Sequence, residues 1–263
     1  MRLTEAFTAA RAAGRCALVP FVTAGDPSLA ATRDIVCALA AAGADVVELG
    51  VPFSDPVADG PVIQRSSERA LARGTRLADV LELARAIRRR SPVPLLLFGY
   101  FNPILRYGLE RFAADAAAAG ADGALVTDLI PEEAADYRRA LAARGLAAVF
   151  LAAPTSPDER LAAIAAASTG FIYAVSRTGV TGAREQVPAA ARELVARVRR
   201  VARQPIALGF GLGTAAQVAE VGAFADGAVV GTALVAALHR AVEQGGEAAA
   251  APAAAAFLRS LQP

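Results

Sequence analysis

Short apolar runs recur about eight times along this chain of 263 residues, with helix-period segments between them. Strands are expected near Ala17–Thr23, Val46–Leu49, Leu95–Tyr100, Ala124–Val126, Ala147–Leu151, Phe171–Val175, Pro205–Gly209 and Ala228–Val230. Several are continuously apolar, as parallel strands covered on both faces must be. Helical patterns fill Leu77–Arg90, Leu109–Ala119, Pro131–Ala143, Asp158–Ala167, Pro188–Ala202 and Ala215–Val221, and Gly43, Gly120 and Gly145 read as helix stops. This alternation predicts an α/β fold, a single (β/α)8 TIM barrel; an open doubly wound sheet is the alternative. Leu3–Ala13 reads as an extra N-terminal helix closing the barrel bottom. No linker divides the chain, so residues 1–263 are expected to form one domain. An alanine-rich tail, broken by Pro252, begins at about residue 245, and Phe257–Leu261 is expected to dock as a terminal helix. Two connections are long, Gly50–Arg76 and Ser176–Gln186. Both follow strand C-termini, where barrel active sites are built, and structureless loops of such length are uncommon unless functional.

What the chain lacks narrows its chemistry. It has no lysine, all 27 basic residues being arginine, and its one histidine is His239. A Schiff-base aldolase and covalently held pyridoxal phosphate both need a lysine amine. A zinc lyase normally needs several imidazoles. His239 lies in a late helical pattern that suits a surface or helix-end position. Acid-base work therefore falls to carboxylates, tyrosines or thiols, and no metal or cofactor is expected. A net charge of +2 without a clustered basic face argues against nucleic acid. Arg88-Arg89-Arg90 reads as a helix-end complement to the dipole. Cys16 and Cys37 show no metal or disulfide spacing and read as reduced thiols. No apolar signal core or membrane span is expected, so the chain is placed in the cytoplasm.

Three constellations carry chemistry. Glu48 interrupts a strand of valine and leucine. It is either an acid-base group at the barrel mouth, its pKa raised by desolvation, or half of a structural salt bridge. Asp55 and Asp59 follow in a loop rich in proline and glycine, where turn and capping roles compete with function. Ser176-Arg177-Thr178-Gly179-Val180-Thr181-Gly182 has the glycines, hydroxyls and arginine of a lid over an anionic ligand, or of an ordinary solvated loop. Gly209-Phe210-Gly211-Leu212-Gly213 and Gly231-Thr232-Ala233 follow the last two strands, and paired glycine turns there read as a phosphate site.

Pro20–Pro27, Glu48–Gln64, Tyr173–Gly182 and Gly209-Phe210-Gly211 together resemble the signatures of tryptophan synthase alpha chains, and the likeness runs from about Leu3 to Ala241. The resemblance implies cleavage of indole-3-glycerol phosphate to indole and glyceraldehyde 3-phosphate. It implies Glu48 as the main acid-base carboxylate and Asp59 facing the indole nitrogen. Phe21, Tyr100, Thr127, Tyr173 and Phe210 would contact the indole and glycerol, and Gly182, Gly211, Gly231 and Thr232 the phosphate. Arg177 and Thr181 would belong to the lid. Pro52, Phe53, Asp55 and Asn102 would meet a pyridoxal-phosphate beta chain in an α2β2 heterotetramer. The chain departs from the family pattern at Gly213, where a hydroxyl residue is common, and at Thr232, a frequent serine. Cleavage by carboxylates alone agrees with a chain that lacks lysine. Two rival readings are a phosphosugar isomerase or epimerase barrel, and a barrel that only activates a partner enzyme.

Overall fold

The computed structural model describes residues 2–175, 187–209 and 211–262. Among the described residues nine parallel strands form one sheet: β1 (Ala17–Thr23), β2 (Val47–Gly50), β3 (Leu95–Gly99), β4 (Gly123–Val126), β5 (Ala147–Val149), β6 (Leu151–Ala152), β7 (Ile172–Val175), β8 (Ile206–Gly209) and β9 (Gly227–Val230). The sheet order is β5-β4-β3-β2-β1-β9-β8-β7-β6. The two ends of that order are consecutive in the chain, separated only by Phe150. The expected fifth strand is therefore split. Its first half pairs with β4 and its second half with β7. One interrupted strand thus joins the two ends of the sheet, giving eight strand positions around a barrel.

Alternation along the strands sorts side chains into two cores. Ala17, Val19, Phe21, Leu96, Phe98, Leu125, Phe171, Tyr173 and Val229 pack inside the barrel. Leu18, Val22, Val47, Leu49, Leu95, Leu97 and Ile206 pack outward against the helices. The N-terminal helix Arg2–Ala12 joins the inner core through Leu3, Phe7 and Ala10, an i, i+4, i+7 stripe. The Phe7 ring lies 5.0 Å from that of Phe171. A methyl group at Gly227 would stand 2.6 Å from the Phe7 ring, so that glycine makes room for the plug.

Three sequence expectations need correction. The Gly50–Arg76 connection is not an open loop, because Pro61–Ala72 is a helix. Proline at its first position already has the required φ and lacks only an N–H that no helix bond would use. Pro252 does not break the tail, since it sits in the first turn of the helix Ala250–Arg259. That helix packs on Leu29–Ala41 and Thr232–Gly245, and Ala250, Ala254 and Leu258 are fully or nearly fully buried. Finally, the segment Pro131–Ala143 divides into a 3-10 turn at Pro131–Glu133 and a helix at Ala135–Ala142. Gly43, Gly120 and Gly145 all have the positive φ expected of helix stops. Arg88 reaches the Gly120 carbonyl at a neighbouring helix end and pairs with Asp122 at 2.9 Å. His239 faces Glu243 one turn away on a surface helix, at 3.4 Å.

Candidate active site

Glu48 lies on the inward face of β2, because its neighbours Val47 and Leu49 point to the outer core. It stands level with Phe21 of β1 and Leu96 of β3. Its side chain is completely buried, and neither carboxyl oxygen has a hydrogen-bond partner among the described residues. Among the described residues, then, no ion-pair partner supports the salt-bridge alternative for Glu48. An isolated carboxylate in an apolar wall is costly to ionise. Burial pushes the Glu48 pKa well above its ordinary value and so favours its neutral, protonated form.

Asp59 arrives from the other side, on the loop between β2 and the helix Pro61–Ala72. That loop is held by its own backbone, with the Asp59 N–H donating to the Pro56 carbonyl at 3.0 Å. The Gln64 amide donates to the Asp59 carbonyl at 2.9 Å. The Tyr100 hydroxyl donates to the Asp59 carboxylate at 3.0 Å and accepts the Ala58 N–H at 3.0 Å. Burial raises the Asp59 pKa to about 6, and the Tyr100 bond works against that rise. Tyr173 stays a phenol. Burial raises its pKa, and the nearby charges of Glu48 and Asp59 raise it further.

Phe21, Glu48, Asp59, Gly60, Ile63, Phe98, Tyr173, Gly211, Val229, Gly231 and Thr232 share one narrow cavity of about 50 Å³ at the strand C-termini. Six residues predicted for catalysis, substrate or phosphate, from Phe21 to Thr232, are thus brought together with Gly231. Tyr100 and Thr127 are not. Both are outside the described lining; the Tyr100 hydroxyl bonds Asp59, and the Thr127 hydroxyl donates to the Gly99 carbonyl at 3.2 Å. Phe98 and Ile63 went unnamed in the sequence. Phe98 could have been found by parity, two residues before Tyr100 on the inward face, and its ring meets that of Phe21 edge-on at 5.3 Å. Ile63 follows from the helix that starts directly after Asp59 and Gly60.

Two helix starts lie near the Gly211–Thr232 end of the cavity, and they differ. The helix Ala215–Gly222 is closed by a capping box of Thr214 and Gln217. Gln217 also takes the Gly213 N–H at 2.9 Å. The helix Thr232–Gly245 begins at Gly231 with no side-chain cap, and Gly231 and Thr232 both line the cavity. Gly211 has a left-handed φ of 84°. A side chain at Gly213 would bring its Cβ within 2.8 Å of the Ala233 methyl, which fits the glycine found there.

A larger hollow of about 860 Å³ opens at the opposite end of the barrel, lined by Arg11, Cys16, Val218, Asp226 and Leu261 among others. It has no comparable acid-base group. Burial lifts the Asp226 carboxyl, but the Ile206 N–H, Arg11 and Arg199 outweigh it and hold the group ionised. Size alone therefore does not mark the site.

Of the residues expected to meet a partner, Asp55 and Asn102 are exposed, and Phe53 is half-buried with its ring 5.0 Å from that of Tyr100. Pro52 is buried and does not present itself to a partner in this conformation. The exposed apolar side chains Val57, Leu105 and Ile130 belong to connections that follow β2, β3 and β4. Phe210, Arg177, Thr181 and Gly182, with the rest of the segment Ser176–Gln186 expected to form a lid, lie outside the described residues.

The family model described as tryptophan synthase alpha chain matches residues 7–260. A tryptophan synthase alpha chain of Geobacter sulfurreducens is 52% identical over 250 residues, covering 94% of this chain and 95% of that one. One from Solibacter usitatus is 53% identical, covering 95% and 92%. Among solved structures, Mycobacterium tuberculosis tryptophan synthase superposes with a TM-score of 0.88 at 43% identity, covering 98% of each chain. A chain of the Pyrococcus furiosus tryptophan synthase α2β2 complex, described in terms of mutual activation, gives 0.86 at 41%, covering 93% and 97%.

Proposed function

The chain belongs to the tryptophan synthase alpha chain family, and on that premise we propose that Glu48 moves the protons of its reaction while Asp59 steadies the charge on the indole ring. The reaction is cleavage of indole-3-glycerol phosphate to indole and glyceraldehyde 3-phosphate, a carbon–carbon lyase step of tryptophan biosynthesis. Indole leaves poorly as a carbanion, so C3 of the ring must gain a proton before the bond breaks. Glu48, neutral through burial, supplies it. The ring becomes an indolenine with positive charge at nitrogen, beside the Asp59 carboxylate. Glu48, now ionised and unsolvated, takes the proton of the adjacent glycerol hydroxyl. As the carbonyl forms, the C–C electron pair returns to the ring, releasing indole and the aldehyde. Glu48 ends as it began. The observation that carries this reading is a fully buried carboxyl group, without a hydrogen-bond partner among the described residues, on the wall of the same cavity as a second carboxylate.

The test is the Asp59→Asn variant. Loss of a charge-assisted contact is expected to lower indole release by about 10- to 100-fold. Asp59 must be ionised to act, so wild-type activity should be lost as pH falls through about 6. That acid limb should vanish in the variant. Full activity, or an unchanged limb, would defeat the assignment.

The phosphate is read as bound at the open helix start formed by Gly231 and Thr232, with Gly211 facing it. A crystal soaked with glycerol phosphate should hold it against those N–H groups. Density at the Thr214 helix start instead would count against the reading.

The chain's partner is a tryptophan synthase beta chain, in an α2β2 assembly. The surface we assign to it includes Asp55, Val57, Asn102, Leu105 and Ile130, because exposed apolar groups gather there around the mouth. A partner that favours one conformation of the Asp59 loop would raise activity by the fraction of misplaced loop it recovers. No described helix is long and apolar enough to cross a membrane. We place the chain in the cytoplasm, as one barrel domain spanning residues 1–263.

A further inference from the structure

We propose that Tyr100 is a positioning residue that clamps Asp59 for the reaction, its hydroxyl joining the Ala58 N–H to the Asp59 carboxylate across the top of β3. The inference rests on the assignment of Asp59 above. Tyr100 continues β3 with an extended backbone, φ −118° and ψ 157°, and immediately precedes the helix Phe101–Tyr107. It is 3% exposed, so its hydroxyl is held by the fold and not by solvent. The Phe53 ring, from the same loop as Asp59, packs against the Tyr100 ring at 5.0 Å. The direction of both hydrogen bonds follows from chemistry. The Ala58 N–H can only donate, so the hydroxyl must give it a lone pair. The hydroxyl proton is then directed to Asp59, 41 residues earlier in the chain. A donor aimed at the carboxylate favours its ionised form, the form that can steady a positive ring. The same bond fixes where that charge sits, and a displacement of about 1 Å in such a group can cost a hundredfold in rate.

The phenol therefore links loop geometry to the charge state of Asp59. Among the described residues, the titratable groups around Asp59 are Tyr100, Glu48 on β2 and Tyr173 on β7 across the cavity, with Asp55 on its own loop. Of these, only Tyr100 donates to Asp59 among the described hydrogen bonds.

The experiment compares full-length wild type, Tyr100→Phe, Asp59→Asn and the double variant for indole release across pH, with and without the beta chain. Tyr100→Phe should lower kcat by about 10- to 100-fold, because a hydrogen bond to a charged group is lost. KM should change little, since the ring stays in place. The acid limb of the profile should move to higher pH, because Asp59 loses a donor to its anion. A purely structural phenol would not move that limb. Adding Tyr100→Phe to Asp59→Asn should cost little more. A wild-type kcat and acid limb in Tyr100→Phe, alongside an impaired Asp59→Asn, would overturn the proposal and leave the Asp59 assignment standing. Full activity of Asp59→Asn would instead remove the assignment itself, and the proposal with it. Thermal melts of all four proteins separate loss of fold from loss of positioning.

Discussion

Glu48→Gln is expected to lower indole formation by about 100- to 10,000-fold, the range that positioned general acid-base groups contribute. The chain has no lysine, its single histidine lies outside the cavity, and the other carboxyl group among the described lining residues, Asp59, is tied to the Tyr100 hydroxyl. Gln is close to the same size, and substrate affinity should survive. The variant should also be the more stable protein at neutral pH. Burial raises the Glu48 pKa in the folded chain above its ordinary value of 4.5. A group of this kind favours the fold fully below the unfolded pKa, and that contribution is lost as pH rises towards the folded pKa. Gln does not titrate. The melting temperature of wild type should therefore fall relative to that of Glu48→Gln as pH rises from 4.5. Activity and melting curves read the two effects separately. Activity of more than about a tenth of wild type would exclude Glu48 as the proton carrier, because the least expected loss is larger than that.

Gly209→Ala should be nearly as damaging, although the residue bears no reactive group. A methyl there would stand 2.2 Å from the Tyr173 hydroxyl oxygen and 2.5 Å from the ring carbon that carries it. Real carbon contacts do not come so close, so the ring must move. It is wholly inside the barrel, with Phe98 beside it at 6.4 Å between centroids. The free direction is the narrow cavity that holds Glu48 and Asp59. Overpacking is expected to cost about 1–3 kcal/mol of stability. The larger effect is on catalysis, where displacement of a site group by about 1 Å can cost roughly a hundredfold. Steady-state kinetics with a structure of the variant would check this. A rate within about threefold of wild type would show that the ring yields without disturbing the site, contrary to the positioning argument.

Several features of the fold and site are legible in the amino-acid order alone. The eight strand positions emerge from local apolar runs, because both faces of a parallel strand are buried and little else in a chain looks like that. The helix stops at Gly43, Gly120 and Gly145 are equally local, each needing a positive φ that glycine adopts freely. Glu48 stands out as a charge in an apolar strand. The motifs that resemble one family point to both carboxylates and the phosphate end.

Other features depend on contacts between distant residues. Local periodicity puts Tyr100 at a strand end and makes it a candidate for the pocket wall. Only the folded chain shows it bonded to Asp59, a residue 41 positions away. Pro52 and Phe53 read as a face for a partner, yet Pro52 is buried and Phe53 leans on Tyr100. The break at Phe150 that lets one strand pair on both sides of the barrel carries no mark in composition. Gly209 looks like part of a phosphate turn, and its need for a bare backbone comes from Tyr173 on the neighbouring strand. Sequence by itself determined the elements and which residues could do chemistry, because propensity, periodicity and side-chain type act over a few residues. Tertiary structure decided which of those residues face one another. Register and barrel closure fix the distances, and the loss of water on burial shifts Glu48 towards its neutral form.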